Sequence, residues 1–193
     1  MTQQQIQIIR RKMEILPPCV EFAKKYLTLP SLEIHFDDCP SQRFRTMNNA
    51  AESNIGPDGI GRIWFNGPWF AERIFAHQDD VEFFMFHELR HLHQKMQINL
   101  LLSNQRTREA KETVMGWKTS FENYQRNEGG TTQTANVTQE VEIDANAYGM
   151  IMTKQYRNGK EPNLSLPDEA YQPAAARAAF YLFALPEFQS YLR

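Results

Sequence analysis

The chain has 193 residues, 41% of them hydrophobic and 23% charged, enough for one domain that buries about two thirds to three quarters of its unfolded surface. Against 23 Asp and Glu stand 21 Lys and Arg, and the formal charge of -2 gives no global field that would recruit nucleic acid or an anionic membrane. Two cysteines, Cys19 and Cys39, make neither a disulfide framework nor a zinc ribbon and read as small buried hydrophobes.

The start, Met1-Thr-Gln-Gln-Gln5, has no basic n-region or apolar h-region, and no window approaches 18 apolar residues. The expectation is a single domain over 1–193 in the cytoplasm, with no direct contact to nucleic acid or membrane.

Residues 4 to 28 predict a helix in two pieces, broken near Pro17-Pro18, with Ile6, Ile9, Met13, Val20, Phe22, Ala23 and Leu27 turned inward. Leu32 to Phe36 alternates apolar and polar and predicts a half-buried strand, with His35 on its polar face. The run of Asn, Ser, Pro, Gly and Asp from 40 to 59 predicts loop and turn. A second strand is expected over 60 to 66, ended by Asn66-Gly67-Pro68.

A long helix is expected over 80 to 98, with Asp79 as an acidic cap and Glu82 three residues on. Val81, Phe83, Phe84, Leu89 and Leu92 make it apolar over much of its circumference, as suits a helix crossing the interior. It carries His87-Glu-Leu-Arg-His91. Histidines at i and i+4 share one helical face about 5–6 Å apart, so both imidazoles can converge on one zinc ion. Glu88 lies roughly 100° further round the helix, off the ion but within reach of a water bound to it, which is a general base's position. A catalytic zinc needs a third protein ligand and leaves the fourth position to water.

Residues 94 to 126 continue helically, with a second helix around 107 to 125 whose Trp117 and Phe121 read as core. Gly129 to Asn136 predicts a polar loop, and Asn136 with Gln139 a cap for a helix from about 137 to 157. Val141, Ala145, Tyr148 and Met152 form that helix's core stripe, and Arg157-Asn158-Gly159 its stop. Glu142 and Asn146 flank the stripe on one side, Glu140 and Asp144 on the other, and periodicity does not choose between them. Asp168 to Leu185 predicts a terminal helix with Phe180, Tyr181 and Phe183 packing inward or against a partner.

At these residues the chain resembles the gluzincin-type metallopeptidases, above all the ImmA/IrrE family. The resemblance rests on the HExxH motif and on Glu142-Ile-Asp-Ala145-Asn146-Ala-Tyr148-Gly149, and covers roughly residues 60 to 155. It implies a zincin-like α+β fold, mostly helical, with a small sheet beside the HExxH helix. It makes His87, His91 and Glu142 the zinc ligands, Glu88 the base and Asn146 an outer residue that orients a ligand. The thermolysin-like pattern Glu-x-x-x-Asp would instead select Glu140 and Asp144. The implied activity is that of a soluble zinc metalloendopeptidase acting on a peptide or protein, with a helix-turn-helix regulator as the family analogy. The strand Arg62, Ile63, Trp64, Phe65 and Asn66 would be the sheet edge on which an extended substrate lies. Tyr148, His93 and Arg90 are the nearest candidates for an oxyanion donor. The chain departs from the family in having Arg90 where Gly is common, and in the 51 positions from His91 to Glu142. Two other readings stand beside this one: a zincin-fold binding module that does not cut, and a zinc hydrolase of a small amide.

Overall fold

The computed structural model describes residues 1–47, 49–72, 78–125, 132–184 and 188. Helix α1, Gln3–Lys12, opens on a capping box in which Thr2 and Gln5 each satisfy the other's backbone N–H. A 3-10 turn, Met13–Ile15, joins it to α2, Leu16–Ala23, whose two prolines sit in the first turn, where a missing N–H costs nothing. Ile9, Val20, Ala23 and Leu27 are buried as expected, while Met13 is exposed because the 3-10 turn rotates it outward.

Three strands make one sheet in the order β1-β3-β2: β1 Leu32–Asp37, β2 Ala51–Ile55 and β3 Gly61–Asn66. Strand β3 pairs with β1 in parallel, Ile34 opposite Ile63, and with β2 antiparallel, Ser53 opposite Ile63. The inner face is apolar: Leu32, Ile34 and Phe36 pack on the core with the fully buried Ile63 and Phe65. The outer face carries Arg62, tied to Glu33 and Asp58, and Trp64, whose ring is in contact with Arg43 and His35.

The sheet corrects two expectations. Residues 51 to 55 are not loop, and β3 is not an edge: both of its sides are paired. Arg62, Ile63, Trp64 and Phe65 therefore have no free backbone edge to offer a substrate. Asn66 is buried and serves the chain itself, its Oδ1 accepting from Trp69 N–H at 3.2 Å at the start of α3, Gly67–Glu72, and its Nδ2 donating to Thr46 and Asn49 carbonyls.

The interior is organised by α4, Gln78–Leu102, which packs on β2 on one side and on α7, Glu140–Tyr156, on the other. Gly149 allows that closeness, since a Cβ there would meet the Phe83 ring at 2.9 Å and its carbonyl oxygen at 3.2 Å. Asn158 and Gly159, both with positive φ, end the helix turn where predicted. Because α4 already includes Gln78, Asp79 is not its cap. Asp79 and Asp80 instead accept Asn163 and Ser165 N–H, and Asp79 and Glu82 pair with Arg157.

The remaining helices are α5 Lys111–Glu122, α6 Thr132–Val137 and α8 Asp168–Ala184. Helix α6 occupies the second half of the expected polar loop, whose residues 129 to 131 lie outside the described ones, as does Leu185. Trp117 is buried, with Phe121 packed beside it. Of Phe180, Tyr181 and Phe183 on α8, only Tyr181 is buried; Phe180 and Phe183 are exposed. Cys19 is buried, but Cys39 only half so. The architecture is thus α+β, mostly helical with a small sheet. Among the described residues no helix is long and apolar enough to cross a membrane.

Candidate metal centre

One turn of α4 brings His87 and His91 onto the same face, ring centroids 4.6 Å apart, and that face looks at α7. Across the gap stands Glu142. Its Oε2 is 3.4 Å from His87 Nε2 and its Oε1 3.4 Å from His91 Nε2, so one ligand atom from each residue lies within 4.8 Å of the others. All three are buried, and together they could hold a metal ion.

Each imidazole is fixed by its other nitrogen. His87 Nδ1–H donates to Asn146 Oδ1 at 2.9 Å, and His91 Nδ1–H to Gln94 Oε1 at 2.8 Å, which turns both Nε2 atoms toward Glu142 and, in the neutral ring, keeps their lone pairs for a metal ion. Gln94 is anchored in turn, donating to Asp144 at 2.5 Å and to the Val141 carbonyl at 3.2 Å. Asp144 is fully buried and accepts from Arg90 twice, at 2.9 and 3.2 Å, and from the Tyr181 hydroxyl. This is why Arg90 is no oxyanion donor: its guanidinium is buried against Asp144, Glu109 and the rings of Trp117 and Tyr148. His93 is likewise turned away, its Nδ1 accepting Thr28 N–H and its Nε2 meeting Glu109. Tyr148 is in the core behind Arg90 and does not line the cleft.

Glu142 and the two histidines are coupled electrostatically. Burial alone would raise the Glu142 pKa, but His91 and His87 hold it well below the usual carboxylate value. Burial would lower His91, yet the Glu142 charge carries it above its ordinary value. Asp144 is held down in the same way by Arg90. Glu140 points elsewhere, paired with Arg177 at 2.7 and 3.0 Å on the exposed side of α7. The pair Glu142 and Asn146 therefore faces the histidines, and the pair Glu140 and Asp144 does not.

Glu88 lies on the floor of a cleft of about 650 Å3 that the ligand residues, Asn146 and β2 also line. It is buried, and its Oε2 has no hydrogen-bond partner. A buried carboxylate oxygen without a partner is costly, and here it borders the one group of ligands among the described residues.

Several contributors carry no sequence signal. Tyr124, just beyond α5, donates its hydroxyl to Glu142 Oε1 at 2.6 Å, and burial of that hydroxyl beside the carboxylate raises its pKa, so it stays a donor. Lys95 donates to the Ser53 carbonyl at 2.5 Å, and Ser53 Oγ to the Glu88 carbonyl at 3.3 Å, tying β2 to α4 beside the site. Gln94 was within reach of the sequence, because it stands one turn beyond His91 on the same face.

Comparison with known protein families, with curated proteins and with solved structures found no match.

Proposed function

We propose that this chain is a zincin-like, zinc-dependent metallopeptidase, similar to the ImmA/IrrE family, that hydrolyses peptide bonds with Glu88 as general base. The observation that carries the reading is a three-ligand set, each member hydrogen-bonded from outside, next to a buried carboxylate with a free oxygen and open to a cleft. The donor chemistry fits zinc: two imidazoles and one carboxylate, with room for water, whereas a structural zinc is normally closed by a fourth protein ligand. When bound, the ion supplies Lewis acidity, which brings the pKa of a coordinated water toward about 7 and polarises a carbonyl.

Glu88 takes the proton of the attacking water and passes it to the leaving amine, a role worth about 10²–10⁴-fold. Asn146 and Gln94 keep the two histidines in the tautomer that presents Nε2. Strand β2 is the edge that suits an extended substrate. Asn66 N–H donates to Ala50 and Gly56 N–H to Ile60, so the even-numbered residues of β2 face β3, and Ala51, Ser53 and Ile55 turn their backbone groups to the open side, where the Ser53 carbonyl already accepts from Lys95. Among the described residues no strand pairs there. A backbone edge of this kind favours a peptide over a small amide. A helix-turn-helix regulator remains the substrate by family analogy.

The test is Glu88→Gln. The amide preserves shape and should retain fold and zinc content while peptide hydrolysis falls by at least about 100-fold. Equal hydrolysis by wild type and variant would remove the catalytic reading and leave a zincin-fold binding module.

A further inference from the structure

The 50 residues between His91 and Glu142 hold α5 and α6, which supply none of the three ligands. We propose that this intervening segment is nonetheless part of the metal centre: it seats Tyr124 as the positioning residue of Glu142, and the seat is a clamp that Asn136 and Gln139 close on Gln125. The inference rests on the reading of His87, His91 and Glu142 as a metal centre.

Two of the three ligands are oriented by neighbours on α4 and α7 themselves, His91 by Gln94 and His87 by Asn146. Glu142 takes its hydrogen bond from Tyr124, which follows the end of α5. Tyr124 is 38% exposed, so packing alone does not fix its ring. Its neighbour is fixed instead. Gln125 N–H donates to Gln139 Oε1 at 2.8 Å, and Gln125 C=O accepts from Gln139 Nε2 at 3.0 Å and from Asn136 Nδ2 at 2.8 Å. Both backbone groups of one residue are thus held by side chains from the end of α6 and the start of α7. Asn136 Nδ2 also approaches the Tyr124 hydroxyl oxygen at 3.2 Å, which leaves the phenolic proton for Glu142.

Gln139 shows where the side chain has been committed. It stands at the N-cap of α7, yet makes no cap hydrogen bond; its amide is engaged with Gln125. A carboxylate ligand held by an outer hydrogen bond is presented in one orientation, and loss of such partners typically costs about 10- to 100-fold in metal affinity.

The experiment is zinc affinity of the full chain, measured by competition with a metallochromic chelator, for wild type, Tyr124→Phe, Gln139→Ala and the double variant, with melting temperatures taken in the zinc-free state. Tyr124→Phe keeps the ring and should keep the zinc-free melting temperature, while weakening zinc binding about 10- to 100-fold. Gln139→Ala should weaken binding in the same direction, and the double variant should bind no more weakly than Tyr124→Phe, because both act through one hydrogen bond. Wild-type affinity in Tyr124→Phe overturns the inference. Additive losses in the double variant overturn the clamp. A wild type that binds no zinc overturns the metal reading itself, a result distinct from either.

Discussion

Glu142 and Asp144 stand two residues apart on α7, both buried and both kept ionised, but by different partners: the histidines for one, Arg90 for the other. The sequence alone left these two and Glu140 undecided, because all flank the same apolar stripe. What decides is remote in the chain: Arg177 takes Glu140, and Arg90 takes Asp144. Arg90 also engages Glu109, and this pair gives a pH test. Burial would raise the Glu109 pKa, but the hydrogen bond with His93 and the charge of Arg90 bring it down from 4.5 to about 2. Between those values the unfolded chain binds the proton and the folded chain does not, so stability rises with pH there. The contribution is complete above about pH 4.5 and is lost as pH falls toward 2, roughly 3 kcal/mol in all. In acid-unfolding curves Glu109→Gln should be less stable at pH 7 and show a shallower fall below pH 4.5. An unchanged acid limb would mean that Glu109 is not held as described.

At the level of elements, the longer helices and two strands were legible because their apolar positions repeat with the right periods, whereas the short α3 and α6 stand where a break and a polar loop were expected. Strand β2 was not. Ala51-Glu-Ser-Asn-Ile55 is short and polar, with one β-branched residue at its end, and its extended form is set by pairing with β3 and by Ser53 and Lys95 joining it to α4. The same blindness made β3 look like an edge, since strand order is a tertiary fact. Tyr124 was equally hidden, because nothing in a polar segment marks which side chain will reach a carboxylate on another helix. The α4–α7 spacing sets how closely Glu142 approaches the histidines, and Gly149 sets that spacing. Alanine is worth about 1 kcal/mol over glycine inside a helix. At Gly149 the contact with Phe83, including its backbone oxygen at 3.2 Å, should outweigh that gain, since overpacking costs about 1–3 kcal/mol. Gly149→Ala should therefore lower the melting temperature by a few degrees and weaken zinc binding. A higher melting temperature would show that the two helices can part at no cost.

Across the whole molecule, the site is a junction of distant parts. Helix α4 supplies His87, His91 and Glu88, α7 Glu142, the segment between them the hydrogen bond to Glu142, and β2 the rim of the cleft. Tyr181 of α8 closes the far side by bonding Asp144. The motif halves were readable because each lies on one helix; their meeting required the fold. A metal that binds the folded chain and not the unfolded one should stabilise it by mass action, about 2.7 kcal/mol at a free concentration one hundred times Kd. The central claim is that His87, His91 and Glu142 hold a zinc ion, and the most direct measurement is the metal content of purified, zinc-equilibrated protein by elemental mass spectrometry. The account predicts one zinc per chain in wild type and in Glu140→Ala, and none retained by Glu142→Ala. Zinc absent from wild type, or kept by Glu142→Ala and lost by Glu140→Ala, would contradict it.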